Sequence, residues 1–215
     1  MAGRGWGKTR TGAEWLAHEA RAHPGYHYGV VARSTQDCRE TCIEGLSGLL
    51  KALDLRIDSP EYNRATGEIR LPNSAIIHAY SAEKPDRIRG PNLSGAWCDE
   101  LCTWRYPQTW TEGLIPALRI GEPRVVVTTT PRTTALIREL ASREDGSVVL
   151  TRGSTFDNEA NLSPEAITEL RRRYEGTRLG RQELLGELIE DIEGALWNRS
   201  MLEHRARWAK GHPGC

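Results

Sequence analysis

No stretch of this chain approaches the roughly 20 consecutive apolar residues that a membrane-spanning helix requires. The charged-then-apolar pattern of a secretory signal is also missing; the N-terminus opens on glycines, an arginine and a lysine. Nor is there a charge imbalance, because 29 Lys and Arg are matched by 29 Asp and Glu. Bulk electrostatics therefore gives no argument for nucleic-acid binding, and any DNA contact has to come from a local patch. The cysteines number five, an odd count that argues against a disulfide framework and for a reducing compartment. Cys38/Cys42 and Cys98/Cys102 are spaced four apart, unlike a zinc knuckle. Buried thiols acting as small hydrophobes are the expectation for them. Internal repeats and low-complexity segments are absent.

What is present fits one soluble domain with a sizeable core: 215 residues, 38% hydrophobic and 27% charged. The chain begins Ala2-Gly3-Arg4-Gly5-Trp6-Gly7-Lys8-Thr9, which reads as a phosphate-binding loop. Gly7, Lys8 and Thr9 meet the G-x-x-x-x-G-K-[ST] pattern, with Ala2 where a glycine is usual. Gly3, Gly5 and Gly7 still allow backbone N–H groups to turn toward a phosphate. Ala13, Leu16, Ala17 and Ala20 follow at helical spacing, so the loop opens a helix whose N-terminus favours an anion. The strand that normally precedes such a loop has no room before Met1, and the loop is expected to lack its supporting sheet edge.

Downstream, 27–32 reads as a buried strand, and Ser34 caps a helix expected to run to about Leu53, with Cys38, Cys42, Leu46, Leu49, Leu50 and Leu53 on one face. A hairpin is expected from 68–71 and 75–80, then strands at 94–98, 124–128 and 148–152. Helical segments are expected at 106–118 and 134–142, from Ser163-Pro164-Glu165, and after Gly176, where Leu184, Leu185, Leu188, Ile189 and Ile192 form a stripe. Strands alternating with helices imply an α/β fold with a mostly parallel central sheet flanked by helices. Ligands then bind at the carboxyl ends of the strands.

Three motifs sit at such ends. Lys8 is the point charge suited to β- and γ-phosphates, and the Thr9 hydroxyl suits Mg²⁺. Asp99 ends an apolar strand in the manner of a Walker B acid, and Glu100 follows as a group able to polarise an attacking water. Thr128, Thr129 and Thr130 close a β-branched strand, where hydroxyls beside a γ-phosphate would couple hydrolysis to motion. Arg4 lies inside the loop and can pair with a phosphate oxygen. Arg89, in a turn-rich loop, is suited to act as a finger in a neighbouring subunit's site. The run Arg171, Arg172, Arg173, Arg178 and Arg181 reads as a solvated face in preference to a DNA contact.

Together these residues resemble the ATPase half of tailed-bacteriophage terminase large subunits, the DNA-packaging motors. The resemblance rests on residues 3–15, on Arg89-Gly90-Pro91 with Ala96-Trp97-Cys98-Asp99-Glu100, and on Thr128-Thr129-Thr130-Pro131. Thr155-Phe156-Asp157-Asn158, Asn161-Leu162 and Glu193-Gly194-Ala195-Leu196-Trp197 complete it. It implies a RecA-like P-loop NTPase of the additional-strand, catalytic-glutamate class. ATP binding would fall to Gly3, Arg4, Gly5, Gly7, Lys8 and Thr9, with Thr9 and Asp99 as Mg²⁺ ligands. Glu100, Arg89 and Arg4 would be catalytic, and Thr128, Thr129 and Thr130 would couple hydrolysis to motion. Asn158 receives no role.

The resemblance also implies double-stranded DNA, portal protein and procapsid, a small terminase subunit and a ring of self-associated copies as partners, in the host cell cytoplasm. The ATPase domain is expected over 1–192 and a linker or tail over 193–215, with no nuclease activity in this chain. A catalytically impaired nucleotide-binding remnant and a helicase-like NTPase are the alternatives.

Overall fold

The computed structural model describes residues 1–189. The expected domain edge at 192, the 193–215 tail and the Glu193 to Trp197 motif lie outside them. Six strands form one sheet in the order β2-β3-β4-β1-β5-β6. Here β1 is His27–Ala32, β2 Tyr62–Asn63, β3 Glu68–Arg70, β4 Ile76–Ser81, β5 Gly95–Asp99 and β6 Arg124–Thr128. β4, β1, β5 and β6 run parallel, while β2 and β3 extend the β4 edge as antiparallel strands. The α/β layer expected from the alternation of strands and helices is the one that forms.

Side-chain alternation along the central strands assigns the two faces. Tyr28, Val30 and Trp97 point to one side, where they pack with Ala13, Leu16, Ala17 and Ala20 of α1, Lys8–Ala22. Val31, Ala96 and Cys98 point to the other, against Trp104, Trp110, Leu114, Ile137 and Leu140. β5 is buried at all five positions, as a central parallel strand requires.

Helix α1 lies unusually close to β5. A Cβ on Gly12 would fall 2.2 Å from the indole of Trp97, which is fully buried. Only glycine permits that approach. Gly12→Ala is expected to cost roughly 1–3 kcal/mol by overpacking, lowering the thermal midpoint by several degrees. An unchanged midpoint in a melting experiment would show that α1 does not rest on Trp97.

Three expectations from the sequence need correction. The helix starting at Ser34 is not continuous to Leu53. A single α-turn, α2 at Thr35–Asp37, passes into a π-helical segment at Cys38–Ile43, and α3, Leu49–Leu53, begins after a break. The wider π turn offsets the apolar register, and Leu46 ends up 97% exposed. Residues 148–152 form no regular strand; Thr151 O accepts from the Met1 amino group at 2.7 Å, and the adjoining Gly153 makes an isolated bridge to Ala2. A strand is stabilised by a partner along its length, and Val149 and Leu150 stay exposed here.

The stripe after Gly176 is not one helix either. After α4 (Ile115–Ala117), α5 (Ala135–Ala141) and α6 (Pro164–Tyr174), α7 spans Arg178–Glu183 and stops before Leu184. Leu184 instead gives its carbonyl to the Thr155 N–H at 2.7 Å. Ile192 lies outside the described residues. The capping expected at Ser34 and Ser163 is present, each hydroxyl accepting from a backbone N–H three residues on.

Candidate active site

The loop at 3–9 is held from both sides. Ala2 N–H donates to the Thr129 carbonyl at 3.2 Å, just past β6, and Gly3 N–H donates to the Gly153 carbonyl at 3.0 Å. No strand precedes the loop among the described residues, as the sequence led us to expect; Ala2 is tied instead by its one bond past β6 and by an isolated bridge to Gly153.

On the outer side, Arg4 N–H donates to Glu183 O at 2.7 Å, Thr155 Oγ1 donates to Arg4 O at 2.7 Å, and Asn158 Nδ2 donates to Gly5 O at 2.7 Å. Asn158 therefore has a structural task that the sequence did not disclose. Gly7 sits at φ 103°, a left-handed conformation that glycine adopts freely, and passes directly into Lys8 at the start of α1.

Lys8, Arg4, Gly5, Glu100 and Thr130 line one cavity of about 420 Å³, together with Thr103, Arg132 and Glu183. The Lys8 side chain is 11% exposed; its Nζ donates to Gly3 O at 3.2 Å and stands 3.6 Å from Glu100 Oε1. Arg4 Nε pairs with the buried Glu183 carboxylate at 2.6 Å. Glu100 follows β5 in a left-handed conformation, φ 47°, uncommon for a residue with a side chain. Its N–H donates to Thr128 O at 2.6 Å, and its carbonyl accepts from Thr103 Oγ1 at 2.7 Å. This turn aims the carboxylate into the cleft, where it accepts from Thr130 N–H at 3.1 Å and Thr130 Oγ1 at 3.4 Å.

Asp99 is the last residue of β5 and is 6% exposed. Its Oδ1 accepts from Thr128 Oγ1 at 2.7 Å and its Oδ2 from Cys42 Sγ at 3.6 Å. Burial pushes its pKa up to about 6, and the Glu100 charge adds to this. Hydrogen bonds from Thr128 and Cys42 and the Lys8 charge act the other way. Trp97 Nε1 donates to the same Thr128 oxygen at 2.6 Å, which fixes that hydroxyl's orientation.

The threonine motif is thus divided in its work. Thr128 orients Asp99, and Thr129 Oγ1 accepts from Cys102 N–H at 3.2 Å and donates to Thr130 O at 3.1 Å. Of the three, Thr130 is the one that lines the cavity. Thr9 is the second residue of α1 and half-buried.

Arg89 does not join the cleft. It is 49% exposed and pairs with Glu112 at 2.8 Å and Asp86 at 3.7 Å. The basic run is largely engaged internally: Arg171 pairs with Glu159 and stacks over Phe156, and Arg172 and Arg173 pair with Glu169. Cys38, Cys42, Cys98 and Cys102 are free and buried.

The sequence did not single out Arg132 or Glu183. Glu183 meets Arg4 across 179 positions of chain, a pairing that local pattern cannot reveal. Arg132 directly follows the threonine motif and its proline, and that adjacency is the one signal for it.

Among the described residues no three His, Cys, Asp or Glu side chains cluster as a metal site. The oxygen donors Asp99 and Thr9 nonetheless suit Mg²⁺, which typically takes few protein ligands and completes its shell with phosphates and water.

A glycine-rich loop opening a helix and an acid pair at the end of a central parallel strand are the parts of a P-loop NTPase fold of the RecA-like kind. The chain belongs to the family described as terminase large subunit, T4likevirus-type, N-terminal, which it matches over residues 1–204. It is thus the N-terminal part of a terminase large subunit, with the fold of that family's ATPase domains.

Solved structures agree on the fold. The Thermus phage P74-26 large terminase ATPase domain superposes with a TM-score of 0.66 at 17% identity, covering 88% of this chain and 87% of that one. The large terminase of a second, thermophilic bacteriophage gives 0.71 at 15% identity, over 93% of this chain and 50% of that one. The same protein in complex with ATP-gamma-S gives 0.68 at 15%, over 87% and 47%. This chain therefore spans about half of that second terminase. No curated protein matches it in sequence. Among the described residues no helix is long and apolar enough to cross a membrane.

Proposed function

We propose that the cleft between the 3–9 loop and Glu100 binds ATP with Mg²⁺ and hydrolyses it to drive double-stranded DNA into a procapsid. The observation that carries this reading is the convergence of Lys8, Arg4, Glu100 and Thr130 on one cavity. Lys8 is placed to hold the β- and γ-phosphates, helped by the N–H groups of the loop and the first turn of α1. Thr9 and Asp99 would hold Mg²⁺, which when bound neutralises charge on the phosphates.

Glu100, carried by its strained turn, is the general base for the attacking water. In the structure its carboxylate rests on Thr130 and Lys8. A phosphate that takes Lys8 removes one of those contacts and frees the carboxylate. Because Thr130 belongs to β6's end, the same exchange links nucleotide state to the coupling segment. Arg4 is held by Glu183 and would turn to the phosphates on binding.

Arg89, exposed and remote from the cleft, suits a finger offered to the next copy in a ring on the portal protein. The small terminase subunit and the host cytoplasm belong to the same reading.

Asp99→Asn tests the metal assignment. It is expected to raise the Mg²⁺ concentration for half-maximal phosphate release by about tenfold or more, the equivalent of roughly 1.4 kcal/mol. An unchanged Mg²⁺ requirement would remove Asp99 from the site.

A further inference from the structure

The cleft contains a third cation. Arg132 lines the cavity with Lys8 and Arg4, and the three face two carboxylates, Glu100 and Glu183. Those carboxylates are taken: Arg4 pairs with Glu183 and Lys8 stands beside Glu100. Arg132 alone of the three has no carboxylate partner among the described residues.

Its backbone, by contrast, is fixed. Arg132 N–H donates to Cys102 Sγ at 3.3 Å, the Cys102 thiol donates to Arg132 O at 3.5 Å, and Thr134 N–H donates to the same carbonyl at 2.8 Å. Pro131 before it is buried. A long, charged, unpaired side chain on a held backbone inside an anion-binding cleft has the character of a ligand-binding group, since a guanidinium left without an acid is satisfied by water or by an incoming anion.

Position decides which anion. Arg132 stands two residues after Thr130, whose N–H and hydroxyl hold the Glu100 carboxylate. Through Cys102 it is also bonded to the turn that follows Glu100. It therefore borders the end of the cleft where the water-activating group sits, the end at which a triphosphate is one phosphoryl longer than a diphosphate.

We propose that Arg132 binds the terminal phosphate of the triphosphate from within the same chain. It thereby distinguishes ATP from ADP and passes that difference to the threonine segment. The inference rests on the placement of nucleotide in this cleft argued above. In this role Arg132 touches substrate directly; it neither gives nor takes a proton.

The test is equilibrium binding of ATP-gamma-S and of ADP, each with Mg²⁺, to the unmodified chain and to Arg132→Ala, Arg132→Lys and Lys8→Ala. Arg132 is exposed, so its replacement is expected to leave the thermal midpoint unchanged. Arg132→Ala is expected to weaken ATP-gamma-S about tenfold or more and leave ADP as it was, with Arg132→Lys in between. Equal weakening of both nucleotides, or of neither, overturns the proposal. Lys8→Ala separates the role of Arg132 from the placement of nucleotide, because it should weaken both nucleotides. If it weakens neither, the placement of nucleotide fails and the role of Arg132 fails with it.

Discussion

Glu100→Gln is expected to lower ATP turnover by about 10²–10⁴-fold, the usual contribution of a positioned general base, without loss of ATP affinity. The direction for binding follows from the structure. Glu100 Oε1 lies 3.6 Å from Lys8 Nζ, in a cleft where Lys8 is mostly buried. That carboxylate competes with phosphate for Lys8. An amide keeps the shape and can still accept from Thr130, but it has no charge to hold Lys8. Nucleotide should therefore bind the variant as well as, or better than, the unmodified chain. Single-turnover phosphate release and equilibrium binding, measured on one preparation, check both halves. A variant that loses binding and turnover together would make Glu100 a structural residue of the loop. Turnover preserved at the original rate would assign the base elsewhere.

Lys8→Ala carries the second large effect, on binding itself. Lys8 is the cleft's inner cation, and a charge-assisted contact of this kind contributes roughly 2–3 kcal/mol. About a 30- to 150-fold loss of ATP affinity is expected. The fold should survive, because the Lys8 ammonium makes one loop contact, to Gly3 O, and the 3.6 Å pairing with Glu100. Isothermal titration with ATP, alongside a melting curve, separates loss of the contact from loss of the loop.

Lys8, Asp99 and Glu100 were legible in the sequence because each belongs to a local event. A glycine turn that opens a helix, or an apolar strand that ends in acids, is written in consecutive residues. Their convergence also followed, since parallel strands bring their carboxyl ends to one edge. The rest depends on contacts between distant segments. The Glu183 clamp on Arg4 joins opposite ends of the described chain, and the Cys42 thiol reaches Asp99 only because a π-helical turn carries it there. The division of labour among Thr128, Thr129 and Thr130 needed the register of β6 against β5, which sets Thr128 opposite Asp99. The 148–152 stretch has the composition of a strand but no full-length neighbour among the described residues. Arg132 is one loop arginine among many until the cavity shows which of them face the phosphate site.

Whether this cleft hydrolyses ATP is tested most plainly by steady-state phosphate release from the unmodified chain with ATP and Mg²⁺. Lys8→Ala, purified identically, supplies the background. Turnover by the unmodified chain is expected, and none above background in the variant. Equal phosphate release from the two proteins would contradict the assignment, as would an unmodified chain that binds ATP and releases no phosphate.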